Sequence, residues 1–553
     1  MSTHEVAPDE GSRQGMLRVG EAIVELLATH YGVDVVFGIP GVHNIEIYRG
    51  LHRSGVRAVS PRHEQGAGFM ADGWSVVTGR PGVCALISGP GLTNALTPMA
   101  QAFHDSRPML VLAATTPTDA LGRRFGPLHD LDDQAAIART VCAFSETVLD
   151  RAAIPQLIAR AWDVFTSSRP RPVHLAIPTD VLEQWVAPFE PVEPAQAGHS
   201  RRARPADDEI VAAAAALSTS SSPMIVAGGG AIDAGPELIA LAEALDSPVV
   251  LTGNAKGVVP SSHPLCVGNA LVHGCVQSAL EAADLVVVVG TEISDADLYN
   301  GGRALAFSGT VVRVDIDAEQ IPRRLGGARV IGLHGDAAAT LARLAGAVTP
   351  GTGDARVPGS ARTAALVADW RAEGEGRFAP WVDAVEAALP PDVVVALDST
   401  QLAYSAHVRL RAERSRSWLA PYGLGTLGCA VPMAVGAAIA APDRPVFALA
   451  GDGGWLFTVA EMATAVDEGL GIVLALWDNS GYAQIKQSFD DVDAPRLGVD
   501  ISSHDPSMIA RGFGWATHEA GSPDDVTATL QAAFTAAESG VPQFVRILVP
   551  AGI

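Results

Sequence analysis

Two apolar runs, Val446 to Ala450 and Gly471 to Trp477, stand on either side of a helical stretch over roughly Phe457 to Asp467. The first ends in Gly451-Asp452-Gly453-Gly454, and the second delivers Asp478-Asn479-Ser480-Gly481-Tyr482. Nothing else in the chain restricts its fold as much. Short apolar runs bounded by turn residues read as strands buried on both faces, the kind found in parallel sheets. A strand–helix–strand crossover then sets both turns at the carboxyl edge of neighbouring strands. The Asp452 carboxylate, the Asn479 amide oxygen and a nearby backbone carbonyl face one point there, with glycine amides beside them. That is part of an oxygen shell for a hard divalent cation, with positions left for phosphate oxygens. A Gly-Asp-Gly surface turn is the plainer alternative, but it does not account for a strand on each side and the asparagine beyond.

The rest of the chain repeats the same strand–turn–helix order. An amphipathic helix from Arg18 (Val19, Ile23, Leu26, Leu27) leads to strand Val33 to Phe37 and the turn Gly38-Ile-Pro-Gly41, with a helix from near His43. Strands Val56 to Ser60, Val83 to Ser88, Pro108 to Ala114 and Val173 to Ile177 follow. A Pro/Glu/Gln-rich stretch, Pro188 to Gly198, and the basic Arg201 to Pro205 read as a linker. Helix Asp208 to Ser218 opens a second set, with strands Met224 to Ala227, Pro248 to Leu251, Leu285 to Gly290 and Val311 to Asp315. Residues 345 to 362 are Gly/Pro/Thr-rich and read as a second linker before strand Val393 to Leu397. This order predicts an α/β chain of three doubly wound parallel-sheet domains. At 553 residues the chain is too long for one core. The expected division is a disordered 1–15 and domains over 16–187, 206–345 and 363–548.

Glu64 closes a strand and opens a close-packed helix, in Pro61-Arg62-His63-Glu64-Gln65-Gly66-Ala67. A carboxylate there has two readings. It is a helix N-terminal acid favoured by the helix dipole, or it holds a proton for a heterocycle.

The Gly-Asp-Gly…Asn pattern resembles the metal motif of thiamine diphosphate enzymes, and the Glu64 segment resembles their glutamate motif. From about residue 16 to 548 the chain is similar to the acetolactate synthase–pyruvate decarboxylase group. That resemblance implies a pyrimidine-binding domain, a central Rossmann-like domain and a diphosphate-binding domain. It implies that Asp452, Asn479 and the Gly481 carbonyl hold Mg²⁺ on the diphosphate of thiamine diphosphate, within the segments Gly451 to Gly454 and Asn479 to Tyr482. Glu64 would hydrogen-bond the aminopyrimidine ring and so help remove the thiazolium C2 proton. Ser399 and Thr400 would lie beside the diphosphate. The Gly425 carbonyl would accept the aminopyrimidine amine, and Leu427 would be the wedge that bends the cofactor; read alone, Leu427 is a core leucine. Family members dimerise so that Glu64 of one chain works with Asp452 of the other, giving a homodimer or homotetramer. Acetolactate synthases carry FAD in the central domain. Here Gly228-Gly-Gly230 follows the first central strand but forms no clean G-x-G-x-x-G, so FAD is not favoured.

The cofactor's chemistry points to a small-molecule 2-oxo acid that loses CO₂. The carbon left behind then takes up a proton or attacks an acceptor. Where acetolactate synthases carry Phe-Gln, this loop reads His129-Asp130, within Gly126-Pro-Leu-His-Asp-Leu-Asp-Asp-Gln134. With Arg62 to Asp72 and Gly41-Val-His43, the pattern resembles 5-guanidino-2-oxopentanoate (2-ketoarginine) decarboxylases. An aspartate suits a guanidinium tail, although Asp130, Asp132 and Asp133 also fit a solvated loop before a helix. His129 is the preferred proton donor, ahead of His43 and His63. The expected reaction is 2-ketoarginine to 4-guanidinobutanal and CO₂, with an acetolactate synthase-like carboligation as the alternative.

Composition narrows the partners. The net charge of −23 disfavours nucleic acid and anionic membranes. Five scattered cysteines without metal-site spacing fit buried thiols in a reducing compartment. With no signal core or membrane span in the sequence, a cytoplasmic enzyme is expected.

Overall fold

The structure is a computed structural model, and it describes residues 14–192, 202–322, 327–349, 357–501 and 504–549. The expected disordered start therefore lies almost wholly outside the described residues, as does the middle of the first linker. Three six-stranded sheets alternate with helices, and every pairing within them is parallel. The chain forms two compact units. Residues 1–75 and 79–200 make one, and residues 76–78 and 201–553 make the other.

The first unit holds one sheet. Its strands run in the order Arg57–Val59, Val35–Phe37, Gly82–Leu86, Met109–Thr115, Val173–Pro178, Phe144–Thr147. Helix Glu64–Thr78 reaches the sheet closely because its contact face is small: a Cβ on Gly82 would lie 2.3 Å from the Ala71 carbonyl oxygen. A two-stranded antiparallel pair, Leu17–Arg18 with Trp185–Val186, joins the two ends of this unit.

The second unit holds two sheets. The central one runs Cys266–Gly268, Val249–Leu251, Pro223–Ala227, Leu285–Val289, Thr310–Asp315, Arg329–His334. Strand Leu285–Val289 is apolar throughout because both its faces are covered. Leu285, Val287 and Val289 pack into one buried cluster, and Val286 and Val288 into another. That is the burial a doubly wound sheet imposes. The last sheet runs Trp418–Leu419, Val394–Leu397, Val446–Gly451, Ile472–Asp478, Gln543–Leu548, Ala516–Ala520.

The second linker is shorter than the sequence suggests: helix Ala337–Ala347 runs into residues 345–362 and helix Gly359–Glu373 begins inside them. The Asp246 carboxylate accepts the Gly359 N–H at 2.7 Å, and Trp370 packs into the central core with its Nε1 donating to the Val267 carbonyl. Glycine and proline at a helix start do not break it. Within the six-stranded sheets the sequence reading also missed five edge strands and one inner strand, Gln543–Leu548, and it missed both strands of the antiparallel pair. Edge strands are short and bury less, so their apolar signal is weak. The stretch over Phe457 to Asp467 is likewise not one helix; it splits into a 3₁₀ turn, Leu456–Thr458, and helix Glu461–Asp467.

The first and last sheets share one strand order, in which the second strand in sequence lies at one edge and the first and third are neighbours. The chain's direction of travel across each sheet reverses between those neighbours. Such a switch point opens a crevice at the carboxyl edge, where ligands bind in folds of this type.

Candidate functional site

In the last sheet the switch point falls between Val394–Leu397 and Val446–Gly451. The turns Asp398-Ser399-Thr400 and Gly451-Asp452-Gly453-Gly454 leave from it side by side. The glycines are required by what lies against them. A Cβ on Gly451 would meet Thr400 Oγ1 at 2.7 Å, and one on Gly453 would meet the Tyr482 ring at 2.5 Å. A Cβ on Gly454 would press on the Asp398 carboxylate at 3.2 Å.

Asp398 was not singled out from the sequence, yet it holds this corner together. It is buried and accepts the amides of Ser399 at 2.8 Å and Gly428 at 2.9 Å. Burial pushes its carboxyl up to about 6, and amides of residues 399 and 428–430 oppose the rise. It thereby fixes the loop carrying Gly425 and Leu427 against the loop carrying Ser399 and Thr400. Ser399 Oγ also reaches the Thr426 carbonyl at 3.4 Å. Leu427 is half-buried, and Gly425 is exposed with φ +69°.

Asp452 is buried and takes an amide on each carboxylate oxygen: Gly453 N–H at 3.0 Å and Gly481 N–H at 2.8 Å. Burial raises its carboxyl to about 6, the amides oppose this, and Asp478 adds to it. Asp478 is itself paired with Arg546 at 2.7 Å, which anchors the strand end that presents Asn479. The tip of the Asn479 amide lies 3.2 Å from Asp452 Oδ1 and 2.7 Å from the Gly481 carbonyl oxygen. With its NH₂ there, the amide satisfies both acceptors. With its oxygen there, three oxygens face one point and only a cation reconciles them. One carboxylate, one amide and one carbonyl are a hard-oxygen set that fits Mg²⁺ and leaves coordination positions for phosphate. Among the described residues no three His, Cys, Asp or Glu side chains gather as a metal cluster elsewhere.

In the first sheet the switch point falls between Val35–Phe37 and Gly82–Leu86. Here Ser88 faces His43, with Oγ to Nδ1 at 2.5 Å. The His43 and His129 rings stand edge to face, 5.5 Å between centroids. Burial, and then His129, hold His43 below the usual histidine range. Glu64 begins helix Glu64–Thr78 and is buried, with Asn94 Nδ2 donating to its Oε2 at 2.9 Å. His63 caps that helix, its Nδ1 accepting the Gln65 amide at 3.2 Å. The three aspartates of the 126–134 loop differ in employment. Asp132 pairs with Arg124, and Asp133 caps helix Gln134–Arg139 through the Ala136 amide. Asp130 Oδ1 and His129 Nδ1 are buried and make no hydrogen bond among the described residues.

Family comparisons match all three sheets. A thiamine pyrophosphate enzyme N-terminal TPP binding domain covers residues 17–137, the family's central domain covers 210–344, and its C-terminal TPP binding domain covers 398–547. A probable 2-ketoarginine decarboxylase of Pseudomonas aeruginosa is 42% identical over 96% of this chain and 93% of its own length. The acetolactate synthase isozyme 1 large subunit of Escherichia coli is 31% identical over 92% and 91%. An acetolactate synthase of Mycobacterium bovis is 32% identical over 86% and 78%.

The chain belongs to the thiamine pyrophosphate enzyme family.

This thiamine diphosphate enzyme works on 2-oxo acids by decarboxylation or carboligation. Its expected metal and diphosphate residues gather at one switch point. Those expected to face substrate, His129 and Asp130, lie with His43 and Ser88 at another. Sequence reasoning missed Asp398, Asn94 and Ser88. Each stands at or shortly after the end of a strand that the sequence marks, but nothing local marks their partners, which lie some thirty residues or more away in the chain. The central glycines of the enzyme have a packing role. A Cβ on Gly228 would meet Thr291 at 2.4 Å, and one on Gly230 would meet Gly290 at 2.8 Å. Among the described residues no helix is long and apolar enough to cross a membrane.

Proposed function

We propose that the enzyme decarboxylates 5-guanidino-2-oxopentanoate to 4-guanidinobutanal and CO₂. When bound, thiamine diphosphate supplies a carbon nucleophile that also stores the electron pair left by departing CO₂. Asp452, Asn479 and the Gly481 carbonyl hold Mg²⁺ against its diphosphate. Ser399, Thr400 and the glycines 451, 453 and 454 shape the cradle, with Tyr482 closing over Gly453. The Gly425 carbonyl and Leu427 would hold the cofactor's pyrimidine end, and Glu64 would hold a proton at its pyrimidine ring. Glu64 of one protomer and Asp452 of its partner act together in a homodimer or homotetramer. His129 gives a proton to the substrate carbon that has lost CO₂.

The observation that carries the choice of substrate is the buried, unpaired Asp130 Oδ1. An acceptor left without a donor is costly, and a guanidinium brings several donors in a planar fork. The other two loop aspartates are already engaged. The P. aeruginosa relative named for this substrate supports the same reading.

The test compares CO₂ release from 2-ketoarginine with release from a small apolar 2-oxo acid. Asp130→Asn is expected to lower kcat/KM for 2-ketoarginine by roughly 10²-fold or more, since breaking a desolvated charge pair is worth several kcal/mol. A rim-exposed pair would give about 1 kcal/mol at most. The apolar substrate has no charge to lose and is expected to be nearly unaffected. Equal losses on both substrates would assign Asp130 a structural or proton-transfer role. No 2-ketoarginine turnover by the unaltered enzyme would move the reading to a neutral 2-oxo acid.

A further inference from the structure

We propose that His43 is a positioning residue for His129, and that Ser88 locks the two imidazoles into a pair holding a single proton. The inference rests on the reading of His129 as the proton donor and extends it to the residues that govern that proton.

Both rings are held by rigid surroundings. His43 lies in the turn after strand Val35–Phe37, beside the buried Asn44. The Asn44 side chain accepts the Gly41 amide at 2.8 Å and donates to the Ile39 carbonyl at 3.1 Å. Ser88 follows strand Gly82–Leu86 and is fully buried, so its hydroxyl meets His43 Nδ1 in one fixed place. His129 sits at φ +63°, a left-handed conformation uncommon for a non-glycine residue. Gly89 packs against it. A Cβ there would stand 2.7 Å from the His129 carbonyl oxygen and 2.9 Å from its Cβ, so only glycine lets the histidine this close. Gly89 is pinned in turn by the buried Gln134, which accepts the Gly89 amide at 3.1 Å and donates to the Ala114 carbonyl at 2.9 Å.

Two imidazoles 5.5 Å apart do not both carry charge cheaply. His43 bonds Ser88, and His129 acts on it through charge. His129 Nδ1 is buried with no hydrogen bond. A buried ring nitrogen without a partner is set for a ligand group, and the His43 ring, fixed by Ser88, packs edge to face against that ring. In the reaction the bond from the carbonyl carbon to the carboxylate breaks, CO₂ leaves, and the electron pair stays behind, available to that carbon. A C–H bond then forms with the proton of His129 as its N–H bond breaks. The aldehyde departs and His129 regains a proton from solvent, so one proton is consumed per CO₂ released. The pair thereby directs the reaction to protonation instead of attack on a second carbonyl.

The holoenzyme and two variants, His43→Phe and Ser88→Ala, test this. First-turnover CO₂ release is measured beside steady-state aldehyde formation, with and without an added acceptor aldehyde. In His43→Phe the first-turnover release is expected to stay near that of the unaltered enzyme. Aldehyde formation should fall about 10-fold or more, as for a compromised general acid, and hydroxyketone from the acceptor should rise. Ser88→Ala removes only a hydroxyl and should move both readouts the same way by a smaller factor. An unchanged ratio of aldehyde to first-turnover CO₂ in both variants overturns the proposal. A separate arm follows labelled histidine by NMR in cofactor-free protein. His129→Gln should raise the titration midpoint of His43, and an unmoved midpoint overturns the pairing. If 2-ketoarginine is not decarboxylated, the substrate reading fails, and the same ratio is taken with whichever 2-oxo acid releases CO₂. If none does, the NMR arm alone decides the pair.

Discussion

Asp452→Ala is expected to abolish thiamine diphosphate binding at ordinary Mg²⁺ concentrations. Of the Asp452 carboxylate, the Asn479 amide and the Gly481 carbonyl, only Asp452 brings a full charge. Hard cations bind through such charges, and an amide and a carbonyl alone do not replace it. The substitution also leaves the amides of Gly453 and Gly481 without their acceptor, at about 1–3 kcal/mol for each buried donor. Loss of binding therefore has two sources, local loosening and lost charge. Asp452→Asn separates them, because its carbonyl oxygen still accepts an amide while the charge is gone. Isothermal calorimetry with Mg²⁺ and cofactor should find both variants defective and the alanine variant less stable to heat. Cofactor affinity equal to that of the unaltered enzyme in both would remove the metal role of this turn.

Glu64→Gln is expected to bind the cofactor and yet exchange its C2 proton more slowly, on the order of 10²-fold or more. The side-chain oxygen of glutamine keeps the bond from Asn94 that now fixes Glu64 Oε2, so the geometry of the helix start is retained. What is lost is an acid that can hold and return a proton at the pyrimidine ring. Exchange followed by NMR in deuterated water reads this step without any substrate. Rates matching the unaltered enzyme would leave Glu64 as a helix N-terminal acid and nothing more.

Much of this was legible in the residues. The runs Val446–Ala450 and Gly471–Trp477 are apolar throughout because helices cover them on both sides, and that marked a parallel sheet. The turns Gly451–Gly454 and Asn479–Tyr482 met because the crossover between those strands leaves no other arrangement. Side chains whose partners lie far along the chain were not legible. Asp398 gives no local sign that it accepts amides from residues 428–430, nor Asn94 that it reaches Glu64. Edge strands such as Phe144–Thr147 and Ala516–Ala520 escaped because one flank is unpaired and their apolar pattern is thin. The second linker misled through composition: glycine and proline around residues 351–359 looked like a break, while Gly359 in fact starts a helix anchored on Asp246.

The short antiparallel pair of Leu17–Arg18 with Trp185–Val186 has a bearing on how such a protein can change. It stitches the entrance and the exit of the first unit together, so the chain passes in and out at one seam. A segment with adjoining ends can be exchanged between relatives without re-threading the remainder of the chain. The loop of His129 and Asp130 travels with that segment, whereas Asp452 and Asn479 do not. On the proposed reading, selectivity for the substrate tail can then drift or be transplanted while the turn proposed to hold the metal is inherited untouched. A chimera carrying residues 14–192 from a relative of different preference would be the natural vehicle.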